Sequence, residues 1–149
     1  MTFSKTCGYA LRGILYVSLS QNDKRKVSID EIAGELSVPR YFLGKIMKRV
    51  VKAGILSSTR GQQGGFYIND TTLDTTLLSV IFLTEGKDYF DKCLLSLGKC
   101  NAGNPCPLHS RISESKNEML QIYRTTSIGD LIQGNRPELI HSITTVIPV

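Results

Sequence analysis

The sequence lacks several features that would place it in common protein classes. It has no apolar run approaching the roughly 20 residues of a membrane-spanning helix, and no purely polar or repetitive tract. The first residues carry Arg12 within their apolar run and no small-residue cleavage pattern, so they make a poor secretory signal. We therefore expect a globular, cytoplasmic protein with no membrane partner, whose four cysteines are thiols or metal ligands rather than disulfides.

Two motifs that would indicate other chemistry are also missing. No G-x-x-x-x-G-K segment followed by Ser or Thr occurs, which disfavours a phosphate-binding nucleotide loop. Cys106 and His109 would suit a nucleophile and its base, but no third orienting group or substrate-binding signature accompanies them. The sequence therefore predicts that the protein is not an enzyme.

Acidic side chains are absent from residues 36–69, a segment that carries six Lys and Arg residues. Residues 1–67 hold eleven Lys and Arg against four Asp and Glu, whereas residues 68–149 hold seven against nine. The formal net charge of +5 therefore comes from the first half of the chain. A cationic block of this kind suits contacts with the phosphates of nucleic acid.

Helix signals follow one another in this cationic half. Residues 4–19 form a largely apolar first helix. Ser28 and Glu31 are spaced as a capping box, which opens a short second helix that ends at Leu36. The short second helix, a tight turn and the helix that follows form the helix-turn-helix arrangement of many DNA-binding proteins.

The third helix has two distinct faces. Ser37 or Val38 is expected to cap it, with Pro39 in its first turn and Gly54 after its end. On a helical wheel its apolar residues fall on one side and its cationic residues on the other. An ordinary solvated basic face is the alternative, but the capped helix before it favours a DNA recognition helix. The side chains expected to contact DNA are Arg40, Tyr41, Lys45, Lys48, Arg49 and Lys52.

A β-hairpin follows the third helix. Two β-prone segments, residues 55–60 and 66–68, flank the glycine-rich turn 61–65. The hairpin looks like the wing of a winged helix, and Arg60 stands where its guanidinium could enter a minor groove. The predicted fold is thus mainly α with a small β-wing: a winged helix-turn-helix domain in residues 1–86 that binds double-stranded promoter DNA.

A cysteine-rich loop is predicted for residues 87–109. Cys93, Cys100, Cys106 and His109 are separated by six, five and two residues. Thiolate and imidazole are ligands of zinc and of iron-sulfur clusters, and the intervening Gly and Pro residues prevent one continuous helix. Zinc is an alternative here, although zinc ligands more often come as C-x-x-C pairs, which this sequence does not contain.

Further helices are expected on either side of this loop. An apolar helix from Asp74 to Glu85, bounded by Gly86, should cover the winged-helix core. Residues 107–133 contain a long helix and a short one, and the long helix must bury its apolar stripe, either within the chain or against a partner. The tail, residues 134–149, has no clear pattern, and we expect it to be mobile or to pack on a partner chain.

Five segments, taken together, resemble one family of bacterial winged-helix regulators. They are Tyr9-Ala-Leu-Arg12, Tyr41-Phe-Leu-Gly-Lys-Ile46, Ala53-Gly-Ile-Leu56, Arg60-Gly-Gln-Gln-Gly-Gly-Phe66 and the cysteine loop. In this order, over residues 3 to about 133, they resemble the Rrf2 family typified by the iron-sulfur regulator IscR and the nitric oxide sensor NsrR. The resemblance implies a homodimer that binds palindromic promoter DNA through the winged helix and dimerises through the long helix.

The resemblance also implies a cofactor. Many family members carry an iron-sulfur cluster, here expected to be 2Fe-2S, whose state alters DNA affinity. By resemblance to IscR-like members its ligands are Cys93, Cys100, Cys106 and His109, with a first interval one residue longer than usual. The alternatives are zinc or no cofactor.

Two positions depart from the family pattern. NsrR-like members take a ligand from an acidic residue of the partner subunit, and Gly8 stands at that position. Cys7 from the partner could substitute, or it could be a buried small apolar residue. Gly44 stands where IscR-like members often have a glutamate that discriminates between promoter classes.

The sequence as a whole predicts a DNA-binding transcriptional regulator that senses iron-sulfur, nitric oxide or redox status. A metal-free regulator that works by thiol oxidation is the alternative, as is a regulator with a structural zinc.

Overall fold

The computed structural model describes residues 2–20, 25–134 and 136–145. These residues form seven α-helices and one antiparallel pair of short strands. The helices are α1 (Lys5–Leu19), α2 (Ile29–Leu36), α3 (Arg40–Lys52), α4 (Leu77–Glu85), α5 (His109–Thr125), α6 (Ile128–Ile132) and α7 (Arg136–Thr144). The strands are β1 (Ser57–Thr59) and β2 (Gly65–Tyr67), and a 3-10 turn spans Tyr89–Asp91.

Helix α1 is the centre of the molecule. The Ser4 side chain caps it by accepting from the Cys7 backbone N–H, and its apolar residues then enter the core. Gly13 brings α1 close to α3, because a Cβ at this position would lie 2.9 Å from the Met47 sulfur. Helices α3, α4 and α7 all pack against α1, so a single core supports both halves of the chain.

The capping box predicted for α2 is half formed. Ser28 Oγ accepts from the Glu31 backbone N–H at 3.2 Å, as expected. The Glu31 carboxylate, however, is bound by the Tyr16 hydroxyl at 3.0 Å and by the Arg25 guanidinium. Burial, followed by the hydrogen bond to Glu31, raises the pKa of Tyr16 to about 12. The carboxylate therefore joins α2 to α1.

The turn between α2 and α3 differs from the prediction. Ser37 adopts a left-handed conformation, with φ of 52°, and ends α2 rather than capping α3. Helix α3 begins at Arg40 after Pro39, which makes no side-chain capping hydrogen bond. Gly54 follows α3 with φ of 78°, as predicted for a residue that must tolerate positive φ.

The wing is tied to the body by Val27. Ser57 pairs with Tyr67 and Thr59 with Gly65, which gives the predicted hairpin. Val27 also pairs with Phe66 through two backbone hydrogen bonds of 2.9 and 2.8 Å, which the sequence reading did not anticipate. Glycine at position 65 permits this pairing of Val27 with Phe66, because its φ is 156° and a Cβ there would lie 2.6 Å from the Val27 carbonyl oxygen.

The second half begins with α4 and α5, which pack against each other. Thr76 caps α4, so this helix begins later than Asp74, whereas Gly86 ends it with φ of 95° as expected. Helix α5 is the longest of the described helices, as predicted. Ser127 and Asp130 form a full capping box on α6, and the hydrogen bond from the Ser127 backbone lowers the pKa of the Asp130 carboxyl.

Part of the predicted tail is a helix. Helix α7 packs on α1 and α2 of its own chain, with Ile143 only 5% exposed. Arg12 joins the three elements, because its guanidinium donates to the Ile143 carbonyl at 2.5 Å and to the Leu36 carbonyl at 2.9 Å. Residues 146–149 lie outside the described residues. No helix in the described residues is long and apolar enough to cross a membrane.

Candidate functional site

Helix α3 presents the predicted cationic face to solvent. Its buried side chains, Leu43, Ile46, Met47 and Val50, face the core as the helical wheel indicated. The predicted DNA-contacting residues are all exposed: Arg40, Tyr41, Lys45, Lys48, Arg49, Lys52 and, at the entry to the wing turn, Arg60. The structure therefore places them on the surface formed by α3 and the wing.

The first turn of α3 holds an ordered pair of contacts. Arg40 makes an ion pair of 2.5 Å with Asp30 at the start of α2, and both side chains are exposed. Tyr41 is 78% exposed, and the Lys45 ammonium lies 4.5 Å from the centre of its ring. The attraction between the cation and the face of the ring holds the two side chains beside each other on this exposed surface.

The cationic side chains near the end of α3 and in the wing differ in their contacts. Arg49 donates a hydrogen bond to the Leu83 backbone carbonyl, which lies in the last turn of α4. The side chains of Lys48, Lys52 and Arg60 make no hydrogen bond or ion pair with another described residue. Arg49 is thus linked to α4, whereas the other three are available to a polyanion.

The cysteine loop gathers all four predicted ligands around one pocket. Cys93, Cys100, Cys106 and His109 line a cavity of about 240 Å³ together with Lys99 and short polar and apolar side chains. Cys100 Sγ lies 3.3 Å from His109 Nδ1. Cys93 is 9% exposed, and Cys100, Cys106 and His109 are half-buried. Side chains separated by up to sixteen positions are thus brought together.

Backbone hydrogen bonds fix the position of Cys93. Its N–H donates to the Gly98 carbonyl at 2.9 Å, and its carbonyl accepts from the Ser96 N–H at 2.9 Å. The backbone N–H groups of Leu97 and Leu95 lower the pKa of the Cys93 thiol, and a hydrogen bond with the Cys106 side chain adds to the effect. The short turn that follows Cys93 therefore favours its thiolate, the form that binds metals.

The donor set has the chemistry that an iron-sulfur cluster or zinc requires. Three thiols and one imidazole line the pocket, and Cys100 Sγ is already in contact with His109 Nδ1. Among the described residues, however, no three His, Cys, Asp or Glu side chains converge closely enough to hold a metal ion as they stand. The residues fit such a group by chemistry, and their side chains would have to move closer together to hold it.

Cys7 lies apart from this pocket. It is fully buried in α1, and burial raises the pKa of its thiol. Such an environment favours the interpretation of Cys7 as a small apolar core residue over that of a ligand donated to a partner subunit.

An aromatic cluster lies at the start of the loop and is formed by Phe3, Phe82, Tyr89, Phe90 and Tyr123. Phe90 contacts Phe82, Tyr89 and Tyr123 with ring centres 5.1 to 6.3 Å apart, which joins α4, the 3-10 turn and α5. The Lys116 ammonium in α5 donates to the backbone carbonyls of Phe90 and Lys92, directly before Cys93. From the sequence, Lys116 is expected away from the apolar stripe, but it lies four positions after Ile112 and three before Met119, on the buried side of the helix.

Comparison with known proteins decides the family. The model of the Rrf2 family, described as an iron-dependent transcriptional regulator, matches residues 3–134. The chain belongs to the Rrf2 family. Its members are transcriptional regulators, which confirms the prediction of a DNA-binding regulator that is not an enzyme.

Individual relatives of this Rrf2 chain agree in sequence and in fold. A protein of Aquifex aeolicus strain VF5, named as an HTH-type transcriptional regulator, is 35% identical over 134 residues, which cover 89% of this chain and 92% of the relative. The solved structure of CymR, the global cysteine regulator of B. subtilis, is similar with a TM-score of 0.73 and 16% identity, covering 88% of this chain and 95% of that one. The structure of T. potens IscR is similar with a TM-score of 0.66 and 16% identity, covering 89% and 87%. These likenesses confirm the winged-helix fold.

Proposed function

We propose that this Rrf2 regulator is a cytoplasmic homodimer that senses iron-sulfur, nitric oxide or redox status through an iron-sulfur cluster, of the 2Fe-2S type. Its ligands are Cys93, Cys100, Cys106 and His109. The observation that carries the proposal is that these four residues line a single pocket. When bound, the cluster supplies a redox-active centre that can be gained, lost or modified.

The position of the pocket suggests how its state reaches the DNA. The loop begins where α4 ends, and α4 is joined to the recognition helix α3 through Arg49 and the Leu83 carbonyl. Closing Cys93 and Cys106 on Cys100 and His109 would tighten the loop between α4 and α5. In a dimer this would change the distance between the two recognition helices, and half-sites about 34 Å apart tolerate little misplacement.

The outer face of α5 is the proposed dimer contact. Ile122 is 57% exposed, and it lies in an open groove with polar neighbours of the same helix. The inner stripe, by contrast, is used within the chain, because Ile112 and Met119 are half-buried and α5 packs against α4. Dimerisation through α5 would therefore use its outer groove: Ser113, Glu114, Asn117, Glu118, Gln121 and Ile122.

Anaerobic reconstitution tests the cluster. Wild-type protein should become coloured, with iron and sulfide in equal amounts, and Cys106→Ala should lose the colour because one thiolate ligand is removed. Cys7→Ala is the matched control, and it should keep the cluster if Cys7 is only a core residue. A colourless protein with one zinc per chain would contradict the cluster proposal, and loss of the cluster in Cys7→Ala would assign Cys7 as a ligand.

A thiol regulator without metal is the second candidate, because Cys93 and Cys106 line the same pocket and the pKa of the Cys93 thiol is lowered, first by the backbone N–H groups of Leu97 and Leu95. A peroxide would oxidise one thiol to a sulfenic acid with release of water, and the other thiol would displace a second water to form the disulfide. Mass spectrometry of peroxide-treated, metal-free protein should then find peptides linked through Cys93 and Cys106, with a change in DNA affinity. Their absence at full oxidation of the thiols would reject this candidate.

A further inference from the structure

Lys116 is an unusual residue for the inside of a helix interface. It is only 8% exposed, whereas most of α5 is open to solvent, and lysine is rarely buried without partners. Its ammonium donates to the Phe90 carbonyl at 3.0 Å and to the Lys92 carbonyl at 2.5 Å. Because a buried charge is costly unless its hydrogen bonds are made, these two carbonyls compensate for the burial of Lys116.

The two carbonyls stand at the start of the ligand loop. Phe90 lies in the 3-10 turn and Lys92 directly precedes Cys93. The same stretch accepts a hydrogen bond from the Cys100 N–H at the Asp91 carbonyl, at 2.6 Å. A single ammonium on α5 thus holds the backbone segment that leads directly into Cys93 and is hydrogen-bonded to the Cys100 N–H.

We propose that Lys116 is a positioning residue for the ligand loop: its ammonium fastens residues 90–92 to α5 and so sets the place of the Cys93 thiolate in the pocket. The inference deepens the proposed function, because it concerns the same ligand set. Groups that orient metal ligands from outside the coordination sphere change metal affinity by about tenfold to a hundredfold when they are removed.

Three variants separate the role of Lys116 from a general effect of charge. Lys116→Met and Lys116→Gln remove the ammonium, and Lys116→Arg keeps a cation with donors for both carbonyls. Lys87→Met is the matched control, because Lys87 is an exposed lysine of the same loop that does not line the pocket. The melting transition of each variant is first compared with that of wild type. Two different neutral substitutions are made so that the test remains possible when one of them does not fold.

The first measurement uses metal-free protein and no cofactor. Hydrogen exchange of the backbone amides of residues 91–100 should become faster in the neutral variants, since the loop loses its attachment to α5. Lys116→Arg and Lys87→Met should exchange like wild type. Unchanged exchange in both neutral variants would overturn the attachment.

The second measurement titrates cobalt(II) and follows the absorbance of its bonds to thiolate. The neutral variants should bind cobalt(II) about tenfold or more weakly, with recovery in Lys116→Arg and no loss in Lys87→Met. Faster exchange with unchanged cobalt affinity would reduce Lys116 to a purely structural contact and overturn the positioning role. If wild-type protein shows no cobalt-thiolate absorbance at all, the ligand set of the proposed function is wrong, and the exchange result still decides the attachment.

Discussion

At the scale of single residues, the cations of the recognition helix do not all do the same work. The sequence predicts one uniform basic face, because periodicity reports which side of a helix a residue occupies and not what its side chain reaches. The structure turns Arg49 back to the Leu83 carbonyl and pairs Arg40 with Asp30, whereas Lys48 and Lys52 extend into solvent. Long side chains with several accessible partners are therefore the part of such a surface that sequence predicts least well.

This division predicts different outcomes for two neighbouring substitutions. Lys48→Ala should weaken promoter binding on all sequences and reduce the dependence of log affinity on log salt by about one, since one phosphate contact is lost. Its melting temperature should stay that of wild type. Gel-shift titrations at several salt concentrations measure the effect, and an unchanged affinity would show that α3 does not face the DNA as described.

Arg49→Ala should instead lower the free energy of unfolding by about 1 kcal/mol, the usual contribution of one hydrogen bond. The urea midpoint measures this, with Lys52→Ala as the control because Lys52 makes no such bond to a described residue. Equal midpoints for the two variants would mean that the contact between α3 and α4 contributes nothing to stability.

At the scale of elements, helix boundaries could be predicted from the sequence where the backbone geometry requires one residue type. Gly54 and Gly86 end helices with positive φ, and Ser28 caps α2, so these boundaries could be predicted from the sequence. Ser37 adopts the same left-handed conformation without being glycine, so its residue type does not predict this conformation. The half-formed capping box has a similar origin, because Glu31 finds tertiary partners in Tyr16 and Arg25 that no local pattern encodes.

The wing offers a sharp test at this scale. Gly65→Ala should loosen the wing, because the new methyl group would collide with the Val27 carbonyl oxygen at 2.6 Å, where backbone cannot move aside cheaply. DNA affinity should fall while most of the helical circular dichroism is retained. Gly34→Ala is the control, since it lies in α2 with nothing within 4 Å, and it should be neutral or stabilising. Equal DNA affinity for the two variants would show that the wing does not depend on the close approach of Gly65 to Val27.

At the scale of the whole molecule, the long-range contacts were the part that sequence could not supply. The four ligand candidates were found from residue type and spacing, yet Lys116, which holds their loop, makes contacts 24 and 26 positions away. Helix α7 was missed for the same reason: its amphipathic pattern is weak, and its place is set by Arg12 and the surfaces of α1 and α2. It also lies beyond residues 3–134, where the family model matches.

Helix α7 should therefore contribute to the stability of the winged helix. Ile143→Ala removes a side chain that is 5% exposed, and the free energy of unfolding should fall by about 2 kcal/mol or more. Ile140→Ala is a suitable control on the same helix, because Ile140 is 40% exposed. Thermal or urea unfolding measures both, and equal stabilities would mean that α7 does not pack on the body in solution.

The two hydrogen bonds of Arg12 bear on the order in which the chain can fold. One of them joins Arg12 to Ile143 across 131 positions, and Ser4 is joined to Glu85 across 81. Because closing such long loops costs entropy before the contact is gained, α1 can only complete its native surroundings late. On the ribosome, α1 emerges first, and part of its apolar surface would therefore stay exposed until almost the whole chain has been synthesised.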